Sequence, residues 1–275
     1  MAKVTIEEIQ KLRKMTGAGM MDCKKALAES DGDVQGAIEI IRKKGQAVAA
    51  KRSDREASEG CVLVKSEGKF GAIVALNCET DFVAKNEDFV KLTQDILDAA
   101  VAAQAKSMEE VLGLKLHDAT VQEAITGQSG ITGEKMELGF YQAVEGEYIA
   151  TYNHQGKNLL CTLAAFNKAA DEELAHEIVM QIAAMNPLAI DEDGVPAEVF
   201  EREKQIAIDK TREEGKPENL LERIAMGRMQ KFFSEVCLMK QQSIIDGSKT
   251  VGEMMKASDK DLKCVAMKRF TLREE

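Results

Sequence analysis

Ala72-Ile73-Val74-Ala75-Leu76-Asn77-Cys78-Glu79-Thr80-Asp81-Phe82-Val83-Ala84-Lys85-Asn86 is the stretch from which the rest of the chain can be read outward. It opens on an apolar run, and an amphipathic run over residues 87–104 follows it. The two runs predict a strand-to-helix corner, with a short carboxylate (Asp81) beside a large aromatic (Phe82). A phenylalanine at such a corner either closes the local core or projects as a wedge into another protein. The spacing alone leaves both open, and we read the wedge.

The flanks give an α+β chain. Upstream of the corner, residues 61–65 and 70–76 are β-branched and apolar runs around Glu67-Gly68-Lys69, which predicts a hairpin. Downstream, Phe89, Leu92, Ile96, Ala99 and Ala103 predict one apolar stripe on a long helix. Ser107-Met108-Glu109-Glu110 and Thr120-Val121-Gln122-Glu123 have capping-box spacing and should start short helices. Gly127, Gly130 and Gly133 then mark a loop. Residues 136–144, 148–153 and 159–166 read as strands, and Asp171 as the cap of a helix that Asn186-Pro187 ends. Gly68-Lys69, a strand to Asn77 and a helix are echoed by Gly156-Lys157, a strand to Asn167 and a helix. Two related antiparallel-sheet-plus-helix subdomains are the economical reading.

The ends of the chain are helical and mixed. Thr5-Ile6-Glu7-Glu8 starts a helix, Thr16-Gly17-Ala18-Gly19 breaks it, and Asp31-Gly32-Asp33 separates two more. This is a compact three-helix head, with its boundary to the body in the small, charged segment 47–60. Residues 196–214 and 217–238, joined at Gly215-Lys216-Pro217, predict a protruding helical hairpin. The first of these helices is polar, with Val199, Ile206 and Ile208 among charges, which suits a solvated arm. Such arms also pair as coiled coils, so a homodimer through the arm is the second reading. A helix over 251–257 and a strand over 262–270 close the chain. The expected domains are 1–55 (head and linker), 56–134 (first core subdomain), 135–187 with 239–275 (second core subdomain) and 188–238 (arm).

Composition narrows the function. At 275 residues the chain can bury a core without metal or disulfide staples. Its net charge is −10, split into +3 over residues 1–56 and −13 over the remainder, which argues against whole-chain binding to nucleic acid. The absence of Trp argues against an aromatic platform for bases. The six cysteines, at 23, 61, 78, 161, 237 and 264, have no C-x-x-C spacing and read as separate buried thiols of a reducing compartment. Met1-Ala2-Lys3-Val4-Thr5 lacks a secretory signal's apolar segment, and no run reaches the roughly 18 apolar residues of a membrane span. A cytoplasmic chain with no membrane contact is expected.

Enzyme signatures are thin. Gly247-Ser248-Lys249-Thr250 lacks the earlier glycine of a phosphate-binding loop, so no direct nucleotide site is expected. Ser248 or Thr250 should instead cap the following helix. His117, His154 and His176 fall in separate segments without a second ligand nearby, and no metal or other cofactor is expected. His154, at the tip of a strand turn, reads as the most exposed of the three. No catalytic set emerges. Asp81 with His154 is the one acid–base pair that could be assembled, and a binding module is the other alternative.

Two segments carry a resemblance. Leu12-Arg13-Lys14-Met15-Thr16-Gly17-Ala18-Gly19-Met20-Met21-Asp22-Cys23-Lys24-Lys25-Ala26-Leu27 and Asn77-Cys78-Glu79-Thr80-Asp81-Phe82-Val83-Ala84-Lys85 resemble the two signatures of the bacterial elongation factor Ts family. The likeness extends to Ala183 through Pro187, to Gly227-Arg228-Met229 and to Ser248-Lys249-Thr250-Val251-Gly252. It implies a UBA-like head, a coiled-coil arm, and a non-enzymatic guanine-nucleotide exchange factor acting on elongation factor Tu in protein biosynthesis. By the same resemblance, Thr80, Asp81, Phe82 and Val83 disturb the partner's magnesium site. Met20, Met21 and Lys24 of the head, Gly127, His154, and the Ile244–Ile245 pair make the other partner contacts. The family's Ile-Gly-Glu-Asn segment stands here as Thr126-Gly127-Gln128-Ser129, and Ile occupies both places where relatives often carry Val and Met. Many relatives continue into a C-terminal helical module beyond Arg269-Phe270, so this chain is expected to do without that contact or to be a shortened form.

Overall fold

The computed structural model describes residues 4–273; Met1 to Lys3 of the leader reading and the last two residues lie outside them. In chain order the elements are helices α1 (Ile6–Thr16), α2 (Met20–Glu29) and α3 (Val34–Lys51), strands β1 (Glu59–Glu67) and β2 (Phe70–Cys78), and helices α4 (Asp81–Ala84), α5 (Glu87–Ala102) and α6 (Met108–Gly113). The short strands β3 (Lys115–Leu116) and β4 (Ala119–Thr120) precede α7 (Val121–Thr132), β5 (Met136–Glu145), β6 (Tyr148–Asn153), β7 (Leu160–Phe166) and α8 (Glu172–Met185). Helices α9 (Ala197–Glu213), α10 (Leu221–Val236) and α11 (Val251–Ser258) and strand β8 (Cys264–Thr271) complete the chain. The chain is a mixed α/β protein with small antiparallel sheets. Among the described residues no helix is long and apolar enough to cross a membrane.

Two compact units divide it: residues 4–63, 74–142 and 272–273, and residues 64–73 with 143–271. In the first, Thr5 and Glu8 close a full capping box at α1, and Asp33 caps α3 by accepting from the Gln35 and Gly36 amides. Ile9, Leu12, Cys23, Ala26, Leu27 and Ala37 are buried together between the three helices. Helix α3 runs on through the charged 47–51 segment and packs along α7. The parts of strands β1, β2 and β5 that lie in this unit form a sheet in that order. Helix α5 buries Phe89, Thr93, Ile96, Leu97, Ala100 and Val101. The buried stripe is thus turned by about one residue from the expected one. Ala103 lies beyond the helix, and Thr93 enters the core because its hydroxyl is satisfied by the Phe89 carbonyl at 2.9 Å.

Residues 127–130 correct the sequence reading. Gly127 and Gly130 lie inside helix α7, not in a loop; only Gly133 (φ +77°) is a turn residue. The glycines are there for proximity: a Cβ on Gly130 would stand 2.3 Å from Gly45 Cα of α3. Two helix backbones meet with no side chain between them.

The second unit repeats the plan. Strands β6, β7 and β8 form an antiparallel sheet in that order, with Thr151 opposite Leu163 and Thr162 opposite Arg269. Helix α8, capped by Asp171, packs on β6 and β7, burying Ile178, Val179 and Ile182 against Ala164 and Phe166. Helices α9 and α10 pack on each other, antiparallel across Gly215, with the Phe200 and Phe233 rings stacked at 6.1 Å. Ile206 is exposed and Ala207 and Thr211 are buried, so beyond Phe200 the buried face of α9 carries small residues. Thr250, not Ser248, caps α11, closing a capping box with Glu253.

The Gly45–Gly130 crossing gives a signed prediction. Alanine is intrinsically better than glycine inside a helix by about 1 kcal/mol. A methyl group forced between two backbones costs about 1–3 kcal/mol. Gly130→Ala is expected to lower the urea midpoint of unfolding; a raised midpoint would show that α3 and α7 are not in such contact.

Candidate functional site: a fixed corner with an exposed phenylalanine

The strand-to-helix corner lies in the first unit. Strand β2 ends at Cys78, and Thr80 caps the single turn α4, its Oγ1 accepting from the Val83 amide. Phe82 on that turn is 84% exposed, so the reading in which it closes the local core is excluded. Asp81 and Val83 are half-buried. Asp81 accepts from Lys85 Nζ at 2.6 Å, and that contact holds its carboxyl below the usual value.

The corner is held from behind by residues that no sequence pattern had pointed to. Glu134, two residues before β5, accepts from the Glu79 and Thr80 amides at 3.2 and 3.1 Å and from Thr80 Oγ1 at 2.7 Å. Glu79 reciprocates: its Oε1 accepts from the Lys135 amide at 2.6 Å. Arg52, at the end of α3, donates to both Glu79 oxygens at 3.1 and 3.0 Å. The Lys135 amide first, and Arg52 second, hold the Glu79 carboxyl below its ordinary pKa. Cys78 Sγ donates to the Thr80 carbonyl at 3.2 Å, and Asn77 Nδ2 to the Ala57 carbonyl at 2.9 Å.

The remaining residues named from sequence fall in both units. In the first, Met20 and Met21 are 42% and 64% exposed on α2, with Lys24 exposed one turn on. Gly127 sits on α7, where its Cα would be 3.8 Å from a Cβ on Gly45. In the second, Ile244 and Ile245 are 43% and 56% exposed. Their loop is anchored by buried Gln181, whose Oε1 accepts from the Ile244 amide at 2.9 Å, and by Ser243 Oγ, which accepts from the Ile245 and Asp246 amides. His154 corrects the reading of exposure: it is half-buried, while His117 and His176 are exposed. Tyr152 accounts for this, its hydroxyl 3.0 Å from His154 Nδ1 and its ring edge-on at 5.8 Å.

Asp81 is engaged by Lys85 in one unit and His154 by Tyr152 in the other. All six thiols are free and buried, and desolvation pushes those of Cys61, Cys78 and Cys264 up to about 11, 12 and 12, so they stay protonated. A cavity of about 430 Å³ in the first unit is lined by Met15, Ile38, Ile41, Leu92 and Ile131. The Arg42–Glu123, Lys44–Asp22 and Lys91–Asp95 pairs stand on its rim. The site's assets are shape and exposed apolar surface on fixed backbone.

Glu79 makes the corner acid-sensitive in a defined direction. Its native carboxyl pKa lies below the ordinary 4.5, so its stabilisation is complete above about pH 4.5 and is lost as pH falls through the native value. Glu79→Gln should therefore lower stability at neutral pH, and the gap from wild type should narrow as pH drops below 4.5. Urea unfolding at a series of pH values measures this; a gap independent of pH would contradict it.

Comparison with known proteins is consistent along the whole chain. The family model described as Elongation factor TS matches residues 79–274. An elongation factor Ts of Parabacteroides distasonis is 54% identical, with 99% of each chain covered. One from Porphyromonas gingivalis is 53% identical over 98% of each, and one from Christiangramia forsetii 46% identical over 99% of this chain and all of its own. With the fixed corner and the second sheet unit inside the family-model match, and the relatives covering the head as well, the chain belongs to the elongation factor Ts family of translation elongation factors.

Proposed function

We propose that this protein is a guanine-nucleotide exchange factor for elongation factor Tu: it binds the GDP-bound partner in the cytoplasm, perturbs its magnesium site and promotes GDP release so that GTP can bind. The observation that carries this reading is the 84% exposure of Phe82 on a corner whose backbone is fixed by Glu134. Transferring such a side chain from water into a partner is worth roughly 1.5–3 kcal/mol. A rigid mount lets that energy act as a push on the partner and not be absorbed by loop motion.

Asp81 and Phe82, with Thr80 and Val83 shaping the turn, act beside the partner's magnesium ion. The ion is the largest local charge at a nucleotide diphosphate, so displacing the groups that hold it weakens GDP. No covalent bond changes, and the protein is not an enzyme. Linkage requires reciprocity: whatever factor this chain takes from GDP affinity, GDP takes from the affinity for this chain. Met20, Met21 and Lys24, Gly127, His154 and the Ile244–Ile245 pair supply affinity away from the magnesium site. In this reading residues 1–55 are a UBA-like head, 56–134 and 135–187 with 239–275 the two core subdomains, and 188–238 a coiled-coil arm through which a homodimer could assemble.

The test is release of a fluorescent GDP from elongation factor Tu, with excess unlabelled GDP at millimolar magnesium. Wild type should accelerate release strongly. Phe82→Ala should lower the maximal rate at least tenfold, about 1.4 kcal/mol, and weaken complex formation by less. Equal loss of both would make Phe82 an anchor only, and no acceleration by folded wild type would overturn the reading.

A further inference from the structure

We infer that Glu134 and Glu79 form a reciprocal carboxylate staple that positions Phe82 for its action on the partner, and that Glu134 is a positioning residue with no partner contact of its own. The inference rests on the exchange reading above and deepens it.

The geometry is a pair of crossed capping interactions between adjacent strands. Where β2 leaves the sheet, the Glu79 and Thr80 amides have no ladder partner, and both donate to Glu134 Oε2. Where β5 enters it, the Lys135 amide is in the same situation and donates to Glu79 Oε1. Each segment's glutamate thus satisfies the other's backbone, and the two segments cannot move apart without exposing charged acceptors and free amides together. Thr80 Oγ1 closes the figure by donating to Glu134 Oε1 while it accepts from Val83. The staple therefore ends at the cap of the turn that carries Phe82. Arg52 extends it to the end of α3.

Two loops of the second unit can be set beside this corner. In the second unit, the strand-to-helix connection after Asn167 presents no large apolar side chain, and there Lys168 pairs with Asp259 instead of a crossed pair of carboxylates. The Ile244–Ile245 loop does present apolar side chains, and there buried Gln181 and Ser243 again take the backbone amides. The two loops that display apolar surface, the Phe82 corner and Ile244–Ile245, thus both have backbone amides taken by side chains.

The experiment pairs amide hydrogen exchange on the free protein with GDP release from elongation factor Tu. Glu134→Ala should speed exchange of the Glu79 and Thr80 amides at least tenfold while the β7 amides keep their protection. It should also lower the maximal release rate at least tenfold. Glu134→Gln should recover most of both, because its carbonyl can take the two amides and its NH2 can donate to a reoriented Thr80 hydroxyl. The decisive readout is the double variant: Phe82→Ala with Glu134→Ala should be no slower than Phe82→Ala alone, since Glu134 acts through Phe82. If Glu134→Ala does not fold, Glu134→Asp, which withdraws the carboxylate by one methylene, carries the same readouts. Unchanged exchange of the Glu79 and Thr80 amides, or losses that multiply in the double variant, would overturn the staple alone. Unaltered GDP release by Phe82→Ala would overturn the role of Phe82 and the staple's with it, whereas no acceleration by folded wild type would overturn the exchange reading itself.

Discussion

The crossed hydrogen bonds between residues 79–80 and 134–135 are the constraint on which the functional end of the first unit depends. A loop normally gains order by burying its own apolar side chain. This one holds Phe82 out in water, so that source of order is given up. Fixing each backbone residue costs about 1–2 kcal/mol. Hydrogen bonds to a charged group return about 1.5–3 kcal/mol each, and Glu134 accepts three of them. Those bonds are of the size needed to hold the corner's backbone in place without burial of Phe82.

The same plan is used twice with different outcomes. In each unit an asparagine at the end of the middle strand, Asn77 within β2 and Asn167 just after β7, ties down the chain next to the sheet. Asn77 donates to the Ala57 carbonyl, and Asn167 donates to Asp261 and accepts from the Lys263 amide. Beyond that shared joint the copies diverge. The first inserts the one-turn α4 and its exposed aromatic before its long helix; the second passes to Asp171 and α8 directly. In the second unit the exposed apolar pair sits elsewhere, at Ile244 and Ile245 on a loop held by Gln181. One scaffold thus carries two kinds of display, each made on a segment whose backbone is satisfied by a side chain from another element.

Much of this was legible in the sequence, and the gaps have physical reasons. Capping boxes at Thr5 and Thr120, the Asp171 cap and the Gly215 turn are local interactions within a few residues, so local spacing reveals them. Strands β5, β6 and β7 were legible from alternation and turn residues. The second half of helix α7 was not, because its glycines answer to Gly45, more than eighty residues away, and locally they look like a loop. The rotation of the α5 stripe depended on one threonine's hydrogen bond to its own helix. Glu134 and Arg52 were invisible as functional residues for the same reason as Gly130: their meaning is a contact across 55 and 27 positions. For Phe82 the sequence left core closure open as one of two fates, and only the backbone's path excluded it.

The most direct test of the account is a fluorine signal at position 82. A site-specific 4-fluorophenylalanine there should give a narrow, solvent-like resonance in the free protein, shift on formation of the nucleotide-free complex with elongation factor Tu, and return as GDP is added. A resonance unmoved by complex formation, while GDP release is still accelerated, would show that the fixed corner does not enter the partner.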